Sequence, residues 1–384
     1  MIIRKLKLLN FRNYAQLELT FSETTNFFYG GNAQGKSNLL EALHCLSLTR
    51  SFRTGADQEL LRLGAEASEI AGEYVDERGS EHQVTILYRR GQSKQISLDR
   101  KRLHSHASLL GKFPVVLFSP ESHHLTAGAP AERRRFIDIL LSQGSPVYLA
   151  DLQEYNRILR QRNALLAQFI PDGHSKNSKE NRGADRQTPV GTLAAWDESL
   201  ALYGCKIIQA RYQFVQDNAA LVQEAYAQIS VSSHSLQLAY RSQFEAQAQI
   251  EEITSQRFIE RLGEYRAREK QRGQTLVGPH RDDLELSING AELRRYGSRG
   301  EHKSAIMALK MMETEYLKQK LNIAPIILLD DLISELDEAR VRQCLQYFSG
   351  RGQLFISAVS LIADESLQKA AKFQVRAGNI MVEA

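Results

Sequence analysis

The stretch Gly30-Gly31-Asn32-Ala33-Gln34-Gly35-Lys36-Ser37-Asn38 follows an apolar run, Asn26-Phe27-Phe28-Tyr29, and precedes a helical pattern, Leu39-Leu40-Glu41-Ala42-Leu43. Gly30, Gly35, Lys36 and Ser37 match the spacing G-x-x-x-x-G-K-[ST] in the strand-loop-helix setting that lets such a loop hold phosphate. The glycines allow backbone N–H groups to surround phosphate oxygens, and the helix beginning near Lys36 adds the positive end of its dipole. Lys36 reaches the β and γ phosphates, and Ser37 coordinates magnesium. The loop is therefore read as a site for a nucleoside triphosphate.

Working outward, 384 residues with 42% hydrophobic content can bury a large core and are expected to form two structural units. A net charge of +4 permits a polyanionic partner without requiring one. Cys45, Cys205 and Cys344 are far apart and lack C-x-x-C spacing, so neither a disulfide framework nor a zinc site is expected, and a reducing cytosol fits. The start, Met1-Ile2-Ile3-Arg4-Lys5-Leu6, has no leader pattern, and no apolar run approaches membrane-spanning length. The expectation is a soluble cytoplasmic protein without a membrane partner.

Residues 2–9 and 17–21 read as strands flanking a polar corner, Asn10 to Gln16. Arg12 in that corner either reaches the nucleotide or is a solvated turn residue. Short alternating strands from Ser68 to Leu98 predict an antiparallel meander, and Phe113 to Phe118 a buried strand. Pro130 suits the first turn of a helix carrying Arg133-Arg134-Arg135, of which Arg133 and Arg134 are candidate DNA contacts. A helical pattern from Leu149 to Phe169 and another from Leu193 to Phe214 flank a polar stretch, 171–192, which reads as an exposed or disordered loop. The two helices, the first about 33 Å long at ~1.5 Å per residue, are expected to pair as an arm. The charged helix from Arg257 to Arg272 is either a solvated face held by i,i+4 pairs or a DNA-facing one. Strands resume at Thr275 to Asp283 and run to an Asn289-Gly290 turn.

The second half of the site is expected at Ile326-Ile327-Leu328-Leu329-Asp330-Asp331, a buried strand ending in two acids. Asp330 can hold the magnesium-water shell opposite Ser37, and Asp331 can orient an attacking water; with Lys36 it forms the catalytic pair. Almost the whole chain separates Lys36 from Asp330, and the helical arm fills the gap. Tyr296-Gly297-Ser298-Arg299-Gly300-Glu301-His302-Lys303 is a Ser/Gly turn opening a helix, able to bind phosphate at the helix N-terminus. Ser334-Glu335-Leu336-Asp337 follows the acids.

This order of pieces resembles the ATP-binding-cassette heads of the SMC-like ATPases. Residue by residue, NFRNY, GGNAQGKSN, FSPE, AERRRFID, VGPHRDDL, YGSRG and ILLDDLISELD resemble the RecF recombination mediator family over essentially the whole chain. The resemblance implies an α/β fold: an ABC-type P-loop ATPase head made of residues 1–128 and 274–384, with an inserted helical arm at 129–273. It implies ATP and Mg2+ as cofactors, held by Gly30 to Asn38 and Arg12, with Ser37 and Asp330 on the metal. It implies head-to-head closure of a homodimer over ATP, in which Ser298, Gly300 and Asp337 complete the partner's site. It also implies binding to double-stranded and gapped DNA, slow DNA-stimulated ATP hydrolysis, and work with RecO and RecR in loading RecA. Ala33 stands where the family usually has glycine, Arg299 replaces a glutamine, and Glu301-His302-Lys303 replaces Gln-Gln-Arg. The changes at Arg299 and Glu301 to Lys303 bear on the strength of the composite site and leave open an ATP-controlled, DNA-bound scaffold with negligible turnover; Ser357-Ala358, where a transporter head carries histidine, offers only one hydroxyl and implies weak or altered hydrolysis. Glu121 is the candidate sensor of the γ-phosphate.

Overall fold

In the computed structural model, residues 1–170, 190–230, 234–244, 253–331, 336–362 and 364–383 are described. Strand β1 (Ile2–Phe11) buries Ile3, Leu6, Leu8 and Phe11, then turns through Arg12 and Asn13 into β2 (Tyr14–Thr20), with Phe11 opposite Tyr14. The corner is thus a tight turn with both strands running into it. Strand β3 (Thr25–Tyr29), buried at every residue, feeds the glycine loop and α1 (Lys36–Leu48). Strands β4 (Ala67–Val75), β5 (Glu81–Arg89), β6 (Gln95–Leu98) and β7 (Lys101–Arg102) form the expected meander and join β1 in a sheet ordered β2-β1-β4-β5-β6-β7.

After β8 (Val115–Phe118) come a single turn, α2 (His124–Ala127), then α3 (Pro130–Gly144), with proline at its first position, and α4 (Pro146–Ala167), capped by the Ser145 hydroxyl. Of the polar stretch 171–192, residues 171–189 lie outside the described residues, and α5 (Val190–Ile229) has already begun at Val190. Strand β9 (Leu236–Arg241), α6 (Ser255–Arg272), β10 (Asp283–Ile288) and β11 (Ala291–Glu292) follow, and β10 lies between β9 and β11 in a small antiparallel sheet. The strand expected from Thr275 begins only at Asp283. Residues 275–282 are irregular, turned by Gly278 at φ +126°, where an added Cβ would meet the Tyr155 hydroxyl at 2.5 Å.

A short turn, α7 (Leu293–Tyr296), leads into α8 (Arg299–Leu321) and β12 (Ile326–Leu329). Then come α9 (Glu338–Phe348), β13 (Leu354–Ala358), β14 (Ala371–Arg376) and β15 (Asn379–Val382). The second large sheet is ordered β15-β14-β3-β13-β12-β8, parallel from β14 to β8 with β15 antiparallel. Its central strands β3, β13 and β12, with β8, are near-continuously buried because both faces are covered, whereas β14 alternates and β15 is largely exposed.

The helical insertion does not stand clear of this sheet. Helix α5 lies along α4, α6 and α8, and Tyr155, Ile158, Leu200, Ile207 and Phe214 share one core with Ala305, Leu309 and Met312 of α8. The charged helix α6 is tied in as well. Arg162, fully buried on α4, donates to Asp197 of α5 (2.8 Å), Glu269 of α6 (2.6 Å) and the Thr275 hydroxyl (2.7 Å), and Arg266 also pairs with Asp197. A buried guanidinium is tolerated only because every side of it is answered by an acceptor. Arg162→Ala leaves the buried Glu269 without its cation and Asp197 with Arg266 alone, and is expected to cost about 3 kcal/mol in urea denaturation; an unchanged unfolding midpoint would show that the cluster has no net effect on stability.

Candidate nucleotide-binding site

The C-terminal ends of parallel strands β3 and β12 meet on one side of the sheet. The register aligns Phe27 with Ile356 and Ile356 with Leu329, so the glycine loop after Tyr29 and the acids after Leu329 emerge beside Ser357. The Ser357 hydroxyl donates to Asp330 Oδ1 (2.6 Å) and accepts the Asp331 N–H (2.9 Å). One side chain thus fixes both acids. Asp330 is buried, and its N–H donates to the Phe118 carbonyl (2.8 Å). Burial raises its pKa, hydrogen bonds from Ser357 and Ser37 oppose that, and the charges of Glu121 and Asp331 add to the rise.

Lys36 Nζ donates to the Gly30 and Gly31 carbonyls, each at 2.7 Å. Burial lowers its pKa, and the charges of Asp331 and Asp330 hold it up. The loop, Lys36, Ser37, Asn38, Arg53, Asp331 and Ser357 line a cleft of about 380 Å3. Ser37 hydrogen-bonds to the Asp330 carboxylate, so two oxygen donors of the kind magnesium takes already converge. Among the described residues no group of three or more His, Cys, Asp or Glu could hold a metal by itself, which suits an ion that keeps waters and phosphate oxygens as its other ligands.

The loop needs its glycines at two places. Gly30 has φ +148°, and a Cβ there would fall 2.2 Å from the Val375 carbonyl oxygen; Gly35, at φ +117°, would strike Asn13 and the Tyr14 hydroxyl. Ala33 sits at φ +60°, a left-handed conformation costing about 1 kcal/mol for a residue with a Cβ. The surroundings hold the loop open against that cost. Tyr14 Oη donates to the Gly35 carbonyl (3.1 Å) and Asn13 Nδ2 to the Gln34 carbonyl (3.1 Å). Asn38 Nδ2 donates to Asn13 Oδ1 (2.7 Å). From the β14–β15 turn, Ala377 N–H donates to Gln34 Oε1 (2.6 Å) and Gly378 N–H to the Gln34 carbonyl (3.2 Å).

Several expected residues stand elsewhere. Arg12 is neither solvated nor in the cleft: it forks onto the buried Glu41 of α1 (2.8 and 2.6 Å) and onto the Glu59 carbonyl (2.7 Å). Its fixed turn, φ +51°, aims the side chain along α1. The arginine that does line the cleft is Arg53, which donates to Asn38 Oδ1 (3.0 Å). Arg133, a candidate DNA contact, is buried, forked onto Asp283 (2.8 and 2.7 Å) with a third bond to the Gly128 carbonyl, so it joins α3 to β10 instead. Arg134 is half-buried and donates to the Asp282 carbonyl (2.7 Å). Glu121 is exposed just past β8, with its charge felt at Asp330.

Ser298, Gly300 and Asp337 do not line the cleft of their own chain. Ser298 is exposed and caps α8, and Glu301 Oε2 returns to the Ser298 N–H and hydroxyl, both at 2.8 Å. The glutamate that departs from the family pattern is therefore half of a capping box. Asp337 caps α9 through the Arg340 N–H (3.0 Å), while Ser334 and Glu335 lie outside the described residues.

Comparison with known proteins agrees with this geometry. The family model of the RecF/RecN/SMC N-terminal domain matches residues 2–378. The DNA replication and repair protein RecF of Agathobacter rectalis is 35% identical over 98% of this chain and 96% of its own. The solved structure of the recombination mediator protein RecF-ATP in the RecFOR pathway superposes with a TM-score of 0.87 at 31% identity, covering 100% of this chain and 98% of that one. An Smc head bound to the C-terminal winged-helix domain of ScpA shares the fold at a TM-score of 0.57 and 16% identity, covering 100% of this chain and 97% of that one. Among the described residues no helix is long and apolar enough to cross a membrane. With the match running the length of the chain, in sequence as in fold, the protein belongs to the RecF family and carries the ABC-type ATPase fold shared with SMC heads.

Proposed function

We propose that the chain is an ATP-gated DNA-binding ATPase of replication and repair: two copies close over ATP and Mg2+, clamp duplex or gapped DNA, and reopen on hydrolysis. The observation that carries this reading is the split between two groups of residues. Lys36, Ser37 and Asp331 line one cleft, with the buried Asp330 bonded to Ser37 behind it, whereas Ser298, Gly300 and Asp337 lie at helix starts outside its lining. Helix starts offer free N–H groups to an anion, so a second copy can supply them to the γ-phosphate. Ser37 and Asp330 would hold a magnesium ion, which would supply neutralisation of the phosphate charge. In this scheme Lys36 exchanges its two loop carbonyls for phosphate oxygens. Asp331, held by Ser357, orients the attacking water, and Glu121 senses the γ-phosphate. Closing on DNA through phosphate contacts makes binding insensitive to base sequence and sensitive to salt. The kinship with a mediator of the RecFOR pathway supports partnership with RecO and RecR and, through them, RecA loading.

Sedimentation with a non-hydrolysable ATP analogue is expected to give a dimer, and without it a monomer; a monomer under both conditions sinks the closure scheme. Ser298→Arg is expected to abolish the dimer while each monomer still binds ATP, and loss of both would place Ser298 on the wrong side of the site. Asp331→Asn is expected to slow DNA-stimulated turnover about 100-fold or more, as removal of a water-orienting group does. A rate unchanged by that substitution would favour the scaffold reading.

A further inference from the structure

A second cleft, of about 560 Å3, opens between the end of α1, the Ser105–Ala107 segment, α3, α4 and the Pro279–His280 turn. Its volume lies in the range of ligand and peptide-anchor pockets, about 300–1,000 Å3. Among the described residues four arginines and a single aspartate line it, and His280, pushed down to about 4 by burial, is neutral at pH 7. The aspartate, Asp138, is already taken by Arg211 (2.7 Å) and the Tyr148 hydroxyl (2.5 Å). Arg50 and Arg135 are different. Both are exposed, and among the described residues neither makes an ion pair. Desolvation and then the like charge of Arg135 lower the Arg50 pKa, so the two cations repel across the cleft they share with Arg134. Thr49, at φ +59°, turns the chain out of α1 and delivers Arg50 to this position.

Between the arginines the lining is apolar. Leu149 and Leu152 of α4 and Ile139 of α3 line the cleft half-buried, together with the buried Leu48 of α1. Nucleic acid makes less use of such a lining, since bases could stack here only on guanidinium planes and phosphates gain nothing from an aliphatic floor. Among the described residues the rings in the lining are Tyr155, which is 1% exposed, and His280, and the two are bonded to each other (2.6 Å). Unpaired guanidinium groups around an aliphatic floor match carboxylates that alternate with aliphatic side chains.

We propose that this cleft is a docking site for an acidic, leucine-rich peptide segment of a partner protein, its carboxylates on Arg50 and Arg135 and its aliphatic side chains on Ile139, Leu149 and Leu152. The test is fluorescence anisotropy of the full chain with a labelled decapeptide of alternating Asp and Leu. The Asn/Leu and Asp/Ser counterparts and a labelled ten-nucleotide single strand serve as comparisons. The Asp/Leu peptide is expected to bind at least about tenfold more tightly than either counterpart, and Arg50→Gln with Arg135→Gln to remove that preference. Leu152→Gln is expected to weaken the Asp/Leu peptide alone, with the thermal midpoint of each variant confirming the fold. Equal binding of all three peptides, or a double variant that loses the oligonucleotide and keeps the peptide, overturns the proposal.

Discussion

Parallel pairing of β3 with β13 and β14, and of β13 with β12, is the constraint on which the site depends. Parallel strands place the ends of distant segments on one edge, and ligands gather at that edge because loops and helix starts leave the sheet there. Here the pairing brings the glycine loop, near the start of the chain, to the acids after Leu329. Ser357 lies on the strand between them and turns adjacency into geometry, since its one hydroxyl holds a carboxylate and a backbone N–H together.

The loop's shape belongs to its surroundings as much as to its sequence. The Arg12-Asn13 turn grips it from one side and the β14–β15 turn from the other. Arg12 itself works one layer back, fixing Glu41 on α1, and Glu41 in turn accepts the Ser51 hydroxyl at 2.5 Å. The segment after α1 then runs back along the helix, from the His44 ring on the Arg50 carbonyl to Arg53 on Asn38. A left-handed Ala33 persists because so many bonds determine the loop around it.

The parts legible from sequence were those whose signal is local. The glycine loop, the apolar strand ending in Asp330, the meander and the proline-started α3 each carry spacing or periodicity within a few residues. The rest depends on partners remote in the chain. Arg133 and Arg135 are alike as letters, and only Asp283, on another strand, decides that the first is buried and the second exposed. Arg53, Asn13 and Ser357 carry no motif of their own, and Arg12 was placed near the nucleotide by kinship although its turn points it at Glu41. Thr275 to Val277 open as a strand would, but Gly278-Pro279 and the close approach of Tyr155 turn the chain into an irregular path.

The position of β3 also bears on how the molecule is made. Its residues leave the ribosome early, but both of its sheet neighbours lie near the far end of the chain. At about 5–20 residues per second, the roughly 325 residues between β3 and β13 take about a quarter of a minute to one minute to appear. Throughout that interval a strand that is buried at every residue in the fold has two bare edges, a condition prone to wrong pairing. The phosphate loop is thus encoded first and finished last, so a chain cut short before Ala377 retains every letter of the motif and lacks the socket that gives it shape.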